Sequence, residues 1–98
     1  GVFSLPLSAL RYIESQDHMA VACLPEGPRS YRINISELER LLPSRIFCRC
    51  HRSFLVNMRY IASIDRRGVL LDGGTLIPVG CSYYERLHER FVHYLNTT

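Results

Sequence analysis

Apolar and polar residues alternate at short range along most of this chain, and helical spacing occurs in only two places. Tyr12 and Ile13 lead into the polar run Glu14 to His18, which reads as a strand entering a loop, and Met19 to Leu24 reads as a second strand. Pro25-Glu26-Gly27-Pro28 predicts a turn, after which Tyr31, Ile33 and Ile35 alternate with Arg32 and Asn34 as a half-buried strand. Further strands are predicted around Phe47, at Phe54 to Asn57, Ile61 to Ile64 and Val69 to Leu71. Gly73-Gly74 then turns the chain into Leu76 to Val79, where Pro78 is unsuited to a central ladder. The hairpin-like order predicts antiparallel sheet.

The two helical segments carry their own start signals. Ser36 and Glu39 form an S-x-x-E capping box, Leu38, Leu41 and Leu42 fall on one face, and Pro43 ends the segment. Ser82 and Glu85 repeat the box, and Leu87, Phe91 and Leu95, with Tyr84 and Val92, make the apolar stripe of a C-terminal helix. The predicted helices are Ser36 to Leu42 and Ser82 to Leu95. A helix-turn-helix needs adjacent helices, and here about forty residues of strand-like sequence intervene. Asn57, just before Met58, is expected to bond backbone in a turn.

Arg45 to Asn57, RIFCRCHRSFLVN, places arginines and a histidine within one apolar run. As a strand it sends Cys48 and Cys50 to one face, and Phe47, Arg49, His51 and Ser53 to the other, so cationic and hydrogen-bonding groups are expected toward solvent at an edge or strand end. From Arg45 to Arg67 there are six arginines and one acid, Asp65. The rest of the chain has six arginines and eight acids, so the net charge of +3 conceals a concentrated basic segment. All twelve cations are arginine, and a guanidinium fork matches phosphate oxygens and guanine edges. A polyanion is the implied partner. The strand-like distribution predicts that loops or strand ends, not a helix, would read it.

Ninety-eight residues, 47% of them apolar, suffice for one hydrophobic core. No apolar run approaches the roughly 20 residues of a membrane span, and GVFSL lacks the basic start of a signal peptide. The chain begins at Gly1 and is read as a piece of a longer protein. Cys23, Cys48, Cys50 and Cys81 are read as reduced cytoplasmic thiols, since nothing else points to secretion. Cys48, Cys50 and His51 lack the usual ligand spacing for zinc, so Cys48 and Cys50 are expected to be buried and metal-free. Were either exposed, the flanking Arg49, His51 and Arg52 would favour its thiolate. His51 and Ser53 lie two apart, but no nucleophile elbow, acid partner or phosphate loop accompanies them. No catalysis and no cofactor are expected.

The segment FCRCHRSFLVNMRYIASI, Phe47 to Ile64, resembles the LytTR family of DNA-binding domains found in bacterial response regulators of two-component systems. Weaker similarity lies in YIES, in ISELERLLP and in the IPV at Ile77 to Val79. The resemblance implies a mainly β fold over residues 1–98, an elongated set of small, mostly antiparallel sheets with two short helices, which inserts loops into successive major grooves of double-stranded DNA. It implies base contacts at Arg52 and at His51 beside it, Ser53 on phosphate, and a second contact loop at Gln16, Asp17 and His18, with His18 also on a base. In the third contact region, after the IPV strand, the family commonly has arginine, and this chain has Gly80 and Cys81. Arg45, Arg49, Arg59 and Ser82 complete the expected phosphate contacts. The resemblance further implies self-association on tandem sites and an N-terminal receiver or sensor domain. An alternative is a protein-interaction or dimerisation module using Tyr83, Tyr84, Phe91 and Tyr94. Phosphate binding weakens steeply with salt, whereas an aromatic interface need not.

Overall fold

The computed structural model describes residues 4–97. Strands β1 (Tyr12–Gln16), β2 (Met19–Leu24) and β3 (Gly27–Tyr31) precede helix α1 (Ile35–Leu41). The hairpin β4 (Phe47–His51) and β5 (Phe54–Asn57) follows, then one 3-10 turn, Met58–Tyr60. Strands β6 (Ile61–Asp65), β7 (Gly68–Leu71) and β8 (Leu76–Ile77) and helix α2 (Tyr84–Thr97) complete the chain. The strands form two antiparallel sheets, ordered β3-β2-β1-β5-β4 and β6-β7-β8. The molecule measures 36 × 27 × 25 Å.

The five-stranded sheet is covered on both faces. On one side Ile13, Leu55 and Phe47 join Ile35, Leu38 and Leu42 of α1 and its C-terminal boundary. On the other, Cys48, Cys50 and Val56 meet Val69, Leu71 and Ile77 of the small sheet and Leu87 of α2. The alternation in β4 therefore separates two cores rather than core from solvent. Cys48 and Cys50 are buried as expected, but Phe47, expected on the solvent side, is only 3% exposed because α1 roofs that face.

Three local readings need correction. The third strand runs Gly27–Tyr31 rather than from Tyr31 to Ile35: of the expected strand only Tyr31 belongs to it, Asn34 caps α1 and Ile35 opens it, and the turn shrinks to Pro25-Glu26. Pro28 is accommodated because β3 lies at the sheet edge, where a missing N–H costs no ladder bond. Helix α1 is capped by Asn34, whose Oδ1 accepts from the Glu37 N–H at 2.8 Å, rather than by Ser36. Starting one turn-position earlier brings Ile35 inward with Leu38 and Leu42 and leaves Leu41 69% exposed. Helix α2 begins at Tyr84, entered through Tyr83 N–H to the Gly80 carbonyl at 2.9 Å, and Val92 and Leu95 of the expected stripe face solvent. Leu87 is its buried anchor, with Phe91 and Tyr94 packed alongside.

Candidate nucleic-acid interface

Strand register brings separated loops to one end of the five-stranded sheet. Glu14 of β1 pairs with both Val21 of β2 and Phe54 of β5, so the Asp17-His18 and Arg52-Ser53 turns emerge side by side. The Ser15 N–H donates to the Ser53 carbonyl at 2.9 Å and ties them together. Gly80 N–H donates to the Cys50 carbonyl at 2.9 Å, which lays the segment after β8 along the open edge of β4. A Cβ built on Gly80 would lie 3.8 Å from the His51 ring. The three loops that the resemblance singled out thus form one row. With strands about 4.8 Å apart, five strands and this added segment span roughly 25 Å.

The central turn is held rigidly from behind. Arg49 donates through Nε to the His51 carbonyl at 2.9 Å and through one terminal nitrogen to Glu39 at 2.8 Å and Ser36 at 3.4 Å. Its other terminal nitrogen bonds the Arg52 carbonyl. Its guanidinium, expected on phosphate, is committed to the protein and 13% exposed. His51 Nδ1 accepts from the Ser53 N–H at 3.0 Å, which leaves the ring proton on Nε2, and its ring meets Phe54 edge-on. Arg52 is therefore pinned through its backbone, while its exposed side chain makes no hydrogen bond or ion pair among the described residues. Ser53 is half-buried and Ser82 is exposed in the turn before α2.

The neighbouring turn is strained. Asp17 and His18 have φ of 46° and 63°, the left-handed pair that a two-residue hairpin turn demands and that glycine or asparagine usually supplies. His18 there costs about 1–2 kcal/mol against the right-handed alternative, and Asp17 less, because a short polar side chain can hydrogen-bond locally. His18→Gly should therefore raise stability by up to about 1 kcal/mol. If His18 touches DNA, the same variant should bind its specific duplex more weakly. Thermal melting with a binding isotherm checks both, and unchanged binding would remove His18 from the contact set.

Arg45 and Arg59 lie elsewhere. They flank the open end of the β4–β5 hairpin, beside Ile46, Tyr94 and Thr97, about 15–20 Å from the Arg52 turn at roughly 3.3 Å per strand residue. Conversely, two residues without a sequence assignment join the row. Arg32 follows β3, whose Tyr31 pairs with Ala20, and it lines a hollow of about 550 Å³ with Asp17, His18 and Asn34. Arg66, in the β6–β7 turn, lines one of about 320 Å³ with Val79, Cys81 and Tyr84. Arg66 stood within the basic segment but had no partner loop to place it. Only strand register locates Arg32.

Among the described residues, no three His, Cys, Asp or Glu side chains are grouped to hold a metal, and no helix is long and apolar enough to cross a membrane. Burial pushes the Cys48 thiol up, and burial with the adjoining Cys48 pushes Cys50 up to about 12. Both thiols should resist alkylation at pH 8 in the folded protein and react on unfolding, while exposed Cys81 reacts at once. The raised Cys50 value favours the folded state fully below the ordinary 9.0. That contribution should disappear as pH rises from there toward about 12, because unfolded thiols ionise first. Rapid native-state alkylation of Cys50 would contradict its burial.

The protein is an antiparallel β domain whose exposed Arg32, Arg52 and Arg66 lie in turns rather than on a helix. The LytTr DNA-binding domain family matches residues 1–91, and the chain belongs to that family. A solved structure described as the LytTr DNA-binding domain of a putative methyl-accepting/DNA response regulator from Bacillus cereus is 31% identical. It superposes with a TM-score of 0.81, covering 88% of this chain and 84% of that one. No curated protein matches.

Proposed function

We propose that the domain recognises a specific double-stranded DNA sequence through the row of turns at the end of the five-stranded sheet, as the output domain of a bacterial response regulator. The observation that carries this reading is the convergence of the 17–18, 52–53 and 80–82 loops, with Arg52 exposed at the centre on a pinned backbone. A row of roughly 25 Å is long enough to cross a minor groove about 6 Å wide and enter the successive major grooves beside it. Arg52 and His18 contact base edges. His51 supports the turn through Nδ1 and turns Nε2–H outward as a donor, while Ser53 and Ser82 contact phosphates. Arg49 positions the central turn rather than binding phosphate, and Arg45 and Arg59 lie out of reach of the same grooves. The Bacillus cereus neighbour is described as part of a response regulator, which supports the output-domain reading; in that reading a receiver or sensor domain precedes this one and copies bind side by side on tandem sites.

Arg52→Ala provides the test. Its side chain has no packing to lose, so the fold should be unchanged. Discrimination at one base position should fall by about 1–3 kcal/mol, the worth of a bidentate arginine contact. Selecting a duplex from a random pool, then comparing it with unselected duplex for both proteins, measures this. Equal losses on both duplexes would make Arg52 a phosphate contact and move specificity to His18.

A further inference from the structure

The arginines divide sharply by how their guanidinium groups are used. Arg49 and Arg90 are absorbed by backbone carbonyls, and Arg49 also by Glu39. Arg29 pairs with Glu26, and Arg67 with Asp65 at 2.9 Å. Arg11 lies over the Tyr60 ring. Arg32 and Arg66 belong to a second group, with Arg40, Arg45, Arg52, Arg59 and Arg86, whose side chains are exposed and form no hydrogen bond or ion pair among the described residues; what sets the two apart is their position beside the row of turns.

Their placement is as informative as their freedom. Arg32 stands at the outer edge of the row, beside the Asp17-His18 turn; Asp17 and Glu37 line the same hollow, yet neither pairs with it. Arg66 stands beyond the opposite edge, over the uncharged Val79, Cys81 and Tyr84. Its neighbour Arg67 is held by Asp65, whose carboxyl the Arg67 side chain and N–H pull below its ordinary value, so Arg66 alone is left free at that turn. Together they bracket the exposed Arg52 from both sides, one from each sheet.

We propose that Arg32 and Arg66 are paired clamps on backbone phosphates at the two flanks of the bound duplex, fixing the position along the helix from which Arg52 reads bases. This inference rests on the DNA-binding reading. Phosphate contacts set register and orientation without carrying sequence information. The Arg66 clamp also supplies positive charge beside the neutral Gly80-Cys81 segment.

The experiment compares unaltered protein with Arg32→Ala, Arg66→Ala, the double variant and Arg40→Ala, a control in the last turn of α1. Affinity is measured on the selected and unselected duplexes across a salt series, with circular dichroism and thermal melting to verify folding. Each single variant should weaken binding to both duplexes by the same factor. Each should also flatten the slope of log affinity against log salt by about 0.9, and the double by about 1.8, as expected for one counterion-releasing contact per residue. Arg40→Ala should leave the slope unchanged. Slopes unaltered in folded Arg32→Ala and Arg66→Ala would overturn the clamps while leaving DNA binding intact. Loss confined to the selected duplex would overturn them in favour of base contacts. If the unaltered protein binds neither duplex, the DNA-binding reading falls and the clamps fall with it.

Discussion

Gly68→Ala should cost about 3–5 kcal/mol and disrupt the small sheet. Gly68 has φ of +142°, a conformation nearly closed to residues with a Cβ, and a Cβ there would sit 2.3 Å from the Ile77 carbonyl oxygen. That oxygen belongs to the backbone of β8, which pairs with β7 through Val69, so it cannot rotate away as a side chain would. The estimate combines about 1–3 kcal/mol of backbone strain with about 1–3 kcal/mol or more of overpacking. Because Arg66 stands two residues upstream, any molecules that remain folded should also bind duplex with a flatter salt dependence. Urea unfolding measures the first effect, and a midpoint equal to that of the unaltered protein would show that the close approach is not structural.

The second large effect is expected at Asn57, the one polar residue in the core of the described chain. Its Nδ2 donates to the Leu10 carbonyl at 2.9 Å and its Oδ1 accepts from the Arg59 N–H at 2.9 Å, closing the 3-10 turn that separates the two sheets. Asn57→Ala removes both partners. The Leu10 carbonyl belongs to a fully buried residue, whereas Arg59 is exposed and its N–H can turn to water, so the loss should be about 2–4 kcal/mol. Asn57→Asp should be worse above neutral pH, since it buries a charge and sets an acceptor against the Leu10 carbonyl. A loss of less than about 1 kcal/mol for both variants in chemical denaturation would contradict this account of Asn57. DNA affinity per folded molecule should be unaffected, because Asn57 lies at the end of β5 away from the turns.

What could be read from the sequence was whatever depends on neighbours along the chain. Apolar alternation located β1, β2, β5, β6 and β7, and the same parity put Cys48 and Cys50 in a core. Parity is silent on whether a helix covers the other face, which is why Phe47 was placed toward solvent. Asn34, the cap observed, and Ser36, the cap expected, each have a glutamate three residues on. The choice falls to burial of Ile35, a tertiary fact. Charge density marked the basic segment but treated Arg45, Arg49, Arg52 and Arg59 alike. Antiparallel pairing then sent Arg52 to one end and Arg45 and Arg59 to the other, and Glu39 on α1 captured Arg49. Arg32 lay outside the basic segment altogether and reaches the row only through the β2–β3 register.

The most direct test of the central claim is an amide chemical-shift titration of the labelled domain with its selected duplex. The largest changes are expected at Asp17, His18, Arg32, Arg52, Ser53, Gly80 and Cys81, with Arg45, Arg59 and Thr97 nearly still. Changes centred on Arg45 and Arg59, with the Arg52 turn unmoved, would place the DNA at the opposite end of the sheet and contradict that claim.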